Sequence, residues 1–149
     1  MRSLTKRAGT LLLVGITVAC SSATAPTAPD APPVPPGQAP MTGNGVVGQF
    51  VRTGYNVRGS ARVVIADGVG QIELSSDFSI AQSPGPFLYL NTTNNPNTGQ
   101  PLRIASLRDR SGAQRFTFTV PPGVRYTWVV IWCDPFNLPM AEAAIAPVP

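Results

Sequence analysis

The sequence predicts an all-β fold: a single antiparallel β-sandwich or barrel-like domain, with a short C-terminal helical turn at most. Three observations predict it. Short runs of alternating apolar and polar residues recur between about residues 44 and 146, and alternation at period two is the pattern of half-buried strands. Gly, Pro, Asn and Asp clusters separate those runs at short intervals, as in sandwiches of roughly 100 residues. Helix-like composition is confined to Met140–Ala146, which Pro147 ends.

Gly45–Arg52 is apolar-rich and glycine-punctuated, a first strand. Arg62–Ala66 and Gln71–Leu74 are joined through Asp67-Gly68-Val69-Gly70, a hairpin-like link. On the second of these, Ile72 and Leu74 should face the core, with Gln71 and Glu73 facing solvent. Phe78 and Ile80 continue the alternation after Ser75-Ser76-Asp77. Pro84-Gly85-Pro86 leads into a strand at Phe87–Leu90, and Asn91–Pro101 reads as a solvated polar loop. Leu102–Leu107 is a weaker strand before a turn at Asp109–Gly112. In Arg115–Val120, Phe116, Phe118 and Val120 share one face, and Pro121-Pro122-Gly123 reverses the chain. Trp128–Cys133 is apolar on both faces, which predicts a central strand: Trp128, Val130 and Trp132 on one side, Val129, Ile131 and Cys133 on the other. A domain of this size can bury an adequate core without disulfides.

The front of the chain follows the order of an export signal, expected over residues 1–19. Arg2, Lys6 and Arg7 form a basic start, and Ala8–Ala19 is apolar. Those twelve residues would span about 18 Å as a helix, too short for a hydrocarbon core of roughly 30 Å. The stretch closes on Thr17-Val18-Ala19-Cys20, which resembles a lipobox, with Thr17 where leucine is usual. That resemblance implies a diacylated, palmitate-bearing Cys20 and a lipoprotein held to the membrane through its anchor. The other cleavage site, after Ala23-Thr24-Ala25, would place Pro26 just beyond the cut. Ser21 after the cysteine favours the outer membrane if the host has two. Residues 20–43 then form a Pro-rich tether: Ser22–Pro40 holds seven prolines and no apolar period, and reaches up to roughly 60 Å. The expected localisation is the cell envelope.

Composition removes several chemistries. The chain has no histidine, the usual general base and metal ligand, so hydrolytic triads and mononuclear copper or zinc sites are not expected. The formal charge of +4 includes Arg2, Lys6 and Arg7; eight arginines against seven acids remain beyond them, scattered rather than clustered, and no nucleic-acid partner is expected. Carboxylates lie at turns, strand exteriors and a terminus, and Asn91–Asn97 carries none for a tight calcium site. No catalytic residue is assigned, and a stand-alone enzyme is not the expectation.

The run Trp128-Val129-Val130-Ile131-Trp132-Cys133-Asp134-Pro135-Phe136-Asn137-Leu138-Pro139-Met140-Ala141-Glu142-Ala143 resembles the closing signature of the electron-transfer DM-thirteen domain. Trp132, Cys133, Phe136 and Ala143 occupy its marked places. Gly48-Gln49-Phe50, Gly59-Ser60-Ala61, Gly85-Pro86 and Ser111-Gly112-Ala113-Gln114 resemble its earlier blocks, so the likeness covers about Gly45–Ile145. Phe87, where an acid is common, and Met140, where an aromatic is usual, depart from the pattern. The resemblance implies an extracytoplasmic β-sandwich-like domain with one characteristic cysteine, acting in redox work through the thiol or a prosthetic group such as haem.

Cys133 is therefore the redox or cofactor-ligand candidate, with Trp132, Phe136 and Met140 as possible surroundings. Several readings stand side by side. A free cysteine is often simply a small buried hydrophobe. A reactive thiol would need a nearby cation or helix N-terminus, whereas its neighbour is the anion Asp134. A thiolate haem ligand would find its opposite in Met140 or Met41. Trp128 and Trp132 could line a ligand surface, although that spacing also suits a core. The expected role is a redox or electron-transfer accessory with a possible redox partner protein. The rivals are a non-redox binding or adhesion module, and a secreted domain closed by a Cys20–Cys133 disulfide.

Overall fold

A computed structural model describes residues 40–149; the signal segment, Cys20 and most of the tether lie outside the described residues. The strands are β1 (Val46–Gln49), β2 (Val51–Arg52), β3 (Val57–Arg58), β4 (Ser60–Ala66), β5 (Val69–Leu74), β6 (Ser79–Ile80), β7 (Pro86–Asn91), β8 (Leu102–Ser106), β9 (Gln114–Thr119), β10 (Tyr126–Cys133) and β11 (Leu138–Val148). One sheet has the order β1-β4-β5-β9 and the other β2-β11-β10-β7-β8, with β3 and β6 as a small separate pair. The recorded strand pairings are antiparallel. The protein is an all-β sandwich.

Local chemistry explains the elements. Asp67 and Gly68 both take positive φ, 52° and 76°, while Ala66 pairs with Val69. This is the two-residue hairpin in which an Asp-Gly pair matches the right-handed twist of its strands. The sheets meet along one edge, where Gly48 of β1 lies against β11. A Cβ there would come within 2.5 Å of the Ala144 carbonyl oxygen, so only glycine permits that approach.

The two sheets enclose a core containing Ile72, Leu74, Phe78, Leu88, Leu90, Val129, Ile131 and Met140. Phe50 and Phe78 meet there with ring centroids 5.6 Å apart. As expected, β10 is central, flanked by β11 and β7. Its Val129, Ile131 and Cys133 enter the main core. Val130 and Trp132 lie on the opposite face, in a second cluster with Tyr89, Phe87 and Trp128.

Three local expectations are corrected. Met140–Ala146 is part of β11, not a helical turn; the recorded helical turn is the 3-10 turn Asp134–Phe136. Pairing of Ala141–Ala144 with β10 overrides the helix preference of Met, Ala and Glu, a case of tertiary contact winning over propensity. Gln71 points away from the core as expected but is buried, because the segment before β1 lies over it. The Met41 amide donates to Gln71 Oε1 at 2.7 Å, and Gln71 Nε2 donates to the Thr117 hydroxyl at 3.2 Å. The loop after β7 is exposed at its tip yet internally bonded. Asn91 is fully buried and donates to the Thr93 hydroxyl and to the Asn95 and Thr98 carbonyls.

Candidate functional site

Strand β10 runs directly into the Asp134–Phe136 turn, so the Trp132-Cys133-Asp134 block sits where a buried strand leaves the sheet. Alternation sends these neighbours apart: Cys133 points into the core, while Trp132 joins the outer cluster. The register fixes the surroundings, with Trp132 beside Phe87 and Cys133 beside Pro86 on β7, and Cys133 beside Leu138 on β11.

Cys133 is a free thiol with no exposed surface. Its S–H donates to the Pro84 carbonyl at 3.0 Å. The buried Ser83 hydroxyl lies between the same carbonyl, at 3.3 Å, and the sulfur of the fully buried Met140, at 3.2 Å. Two sulfur side chains thus converge on one short segment, residues 81–86, which roofs this end of the core. That roof is latched from outside. Arg110 donates to the carbonyls of Ala81 and Ser83, the Asp134 amide to Gly85 O at 3.3 Å, and the Leu107 amide to Pro86 O at 2.9 Å. Arg110 thus directs its guanidinium at backbone carbonyls rather than at the thiol.

The outer face has different chemistry. The Tyr89 hydroxyl donates to Asp134 Oδ1 at 2.7 Å, and Arg103 binds Asp134 Oδ2 through Nε at 2.9 Å and Nη2 at 2.8 Å. The Arg103 guanidinium also stacks over the Phe87 ring, 3.4 Å from its centroid. Burial pushes the Tyr89 phenol above its ordinary value of 10.0, and its hydrogen bond to Asp134 adds to that shift against the opposing effect of Arg103. The loop after β7 crosses over this face. Asn94 donates to Glu142 on β11 at 3.0 Å, and Asn97 donates to Asn137 Oδ1 at 2.9 Å, the atom that also accepts from the Trp132 indole at 3.0 Å.

The residues singled out from sequence therefore separate. Met140 joins Cys133 through Ser83, Trp132 lies on the opposite face, and Phe136 is 61% exposed. Sequence reasoning missed Tyr89 and Arg103 altogether. Period-two spacing from Phe87 places Tyr89 outward, but nothing in the sequence pairs it with Asp134.

A family comparison decides membership. The description Electron transfer DM13 matches residues 49–145. The chain belongs to the electron-transfer DM13 family. The matched stretch runs from the end of β1 to Ile145 in β11 and so takes in both faces of β10. No curated protein and no solved structure matches the chain.

A haem, the prosthetic group implied by the resemblance, does not fit this DM13 domain as folded. Cys133 and Met140 are fully buried, with Ser83 and Pro84 filling the space at their sulfurs, and the other candidate, Met41, lies over Gln71 of the other sheet. Gly85 is also tight, since a Cβ there would lie 2.7 Å from the Pro135 ring. A cleft of about 270 Å³ opens elsewhere, between the Asp67-Gly68 turn and Val120–Gly123 beside Pro149, near the start of β10. Its lining is mostly apolar, with Asp67 as the titratable side chain.

Proposed function

We propose that this DM13 protein is an envelope-anchored electron-transfer accessory, held to the membrane by a lipid on Cys20 and acting through Cys133 on a redox partner. The observation that carries this reading is the match of residues 49–145 to the electron-transfer DM13 family, with Cys133 the free thiol at the end of β10 inside the matched stretch. Segments held by a few surface hydrogen bonds open at lower cost than the core beneath them. When residues 81–85 lift from the start of β7, the thiol meets a partner's disulfide. The Cys133 thiol loses its proton to solvent, and its sulfur attacks one sulfur of the partner. A new S–S bond forms, the old one breaks, and the leaving thiolate takes up a proton. One partner sulfur is released as a thiol and the other stays joined to Cys133 in a mixed disulfide, so one S–S bond replaces another and the exchange balances. Lipidation and a Pro-rich reach of up to roughly 60 Å would hold the domain near membrane-bound partners.

A second reading, a non-redox binding or adhesion module, is favoured by one observation: Cys133 has no exposed surface and is bonded to the Pro84 carbonyl inside the core. The experiment compares the native full chain with Cys133→Ser. Intact mass of membrane-extracted protein is read first, and a diacyl mass on Cys20 is expected. Both proteins are then equilibrated with a glutathione redox buffer. A mixed disulfide on the native chain, absent from the serine variant, is the expected result. A native chain that stays unmodified, while still folded, would support the binding module.

A further inference from the structure

Disulfide exchange at Cys133 moves electrons in pairs, and a one-electron step calls for a different group. Tyr89 sits among apolar neighbours on the outer face of the second sheet, beside Val130, Trp132 and the partly buried Phe87 and Trp128. Its hydroxyl donates to a carboxylate rather than to a backbone carbonyl, at 2.7 Å. Arg103 holds the other carboxylate oxygen twice, at 2.9 and 2.8 Å, and is itself stacked over Phe87, so the acceptor swings away only by breaking both Arg103 bonds and the one from Tyr89. As a surface ion pair, Arg103–Asp134 would contribute little to stability. Its value lies in fixing where the Tyr89 proton can go.

We propose that Tyr89 is a one-electron relay whose proton acceptor is Asp134, with Arg103 as the positioning residue. A one-electron metal oxidant on a partner protein, a haem or copper centre, removes one electron from the phenol. The O–H bond breaks as this happens, and the proton passes along the existing hydrogen bond to Asp134 Oδ1. The products are a neutral tyrosyl radical, a carboxylic acid and the reduced metal. A reduced haem or copper centre on a partner returns one electron as Asp134 returns the proton to the phenoxyl oxygen, which restores the phenol. The pairing is needed because a phenol that lost only its electron would leave a cation in a largely desolvated position, and charge there is costly. Trp132, in the same cluster and bonded at its indole to Asn137, extends the aromatic surface of the outer face. The inference rests on the electron-transfer reading of the chain but not on Cys133.

The test photo-oxidises the full chain with flash-generated tris(bipyridine)ruthenium(III) and reads the radical by freeze-quench electron paramagnetic resonance. A tyrosyl signal is expected in the native chain and unchanged in Tyr55→Phe and Tyr126→Phe. In Tyr89→Phe the tyrosyl signal should disappear and the radical settle on tryptophan. Asp134→Asn keeps the shape but cannot take the proton. It should slow tyrosyl formation on the order of a hundredfold, the usual contribution of a positioned base, and alter the solvent deuterium effect. Arg103→Gln should slow it less, since the acceptor survives. Near-ultraviolet circular dichroism confirms that each variant is folded. A tyrosyl signal of native yield in Tyr89→Phe, or native kinetics in Asp134→Asn, overturns the relay. Electron exchange with a reduced c-type cytochrome is measured in parallel. Exchange that persists without a Tyr89 radical removes the relay and leaves the electron-transfer reading standing. A Tyr89 radical without any exchange removes that reading and leaves the local chemistry.

Discussion

The two faces of β10 come from one eight-residue strand, yet they do different work. The inner face, Val129, Ile131 and Cys133, is dry and carries a single polar interaction, from a thiol to a carbonyl. The outer face, Trp128, Val130 and Trp132, is also largely buried. It is covered, however, by a network that includes Tyr89, Asp134, Arg103, Asn137 and Asn97. Burial alone therefore does not mark the core of this protein. What separates the faces is where a proton can go. On the inner side the thiol faces an amide oxygen, a poor base. On the outer side a phenol faces a carboxylate.

The largest expected effect lies inside. Ile131→Ala deletes buried methyl groups from the central strand and should cost about 2–5 kcal/mol. Urea unfolding is the check, and a loss near 0.5 kcal/mol would mean the inner face is not the core. On the outer face, Asp134→Ala leaves the largely buried Tyr89 hydroxyl without its acceptor and should cost about 1 kcal/mol, the exposed Arg103 adding little.

The same pair makes a pH prediction. The folded Tyr89 pKa lies above the ordinary 10.0, chiefly from burial and then from the hydrogen bond to Asp134. The neutral phenol is thus favoured by folding. Its contribution is complete below pH 10.0 and is lost as pH rises through the folded pKa. Ultraviolet titration should show late tyrosine ionisation that moves earlier in Asp134→Ala. A titration unmoved by that change would break the link between the two residues.

The smallest effect belongs to the covering loop. Asn97→Ala removes one exposed hydrogen bond to Asn137 and should cost roughly 0.5 kcal/mol, with faster amide exchange at residues 92–100.

Much of this contrast was legible beforehand. Alternation alone assigned Val129, Ile131 and Cys133 to one side and Trp128, Val130 and Trp132 to the other, and apolarity on both sides made the strand central. A hairpin link over Asp67–Gly70 was legible, but not its tightness: the turn is Asp67-Gly68 alone, and Val69 and Gly70 pair with Ala66 and Ile65 as the start of β5. Long-range pairing was less visible. Met140–Ala146 carries helix formers, and only its register with β10 makes it a strand. Tyr89 and Asp134 are 45 residues apart and meet because β7 and β10 are neighbours, a relation that no local pattern encodes. The roof over Cys133 was hidden for the same reason. Ser83, Pro84 and Arg110 belong to connecting segments, whose residues signal turns rather than contacts.

Whether that roof governs the thiol is the question that most directly tests the account, and thiol–disulfide exchange of Cys133 with an aromatic disulfide, followed in the folded chain and in Arg110→Ala, answers it. Removing the Arg110 latch should weaken the closed state by about 1.4 kcal/mol and so speed exchange roughly tenfold, from a native rate far below that of the unfolded chain. Equal rates in the two folded proteins, or a native thiol that exchanges as fast as an unfolded one, would contradict it.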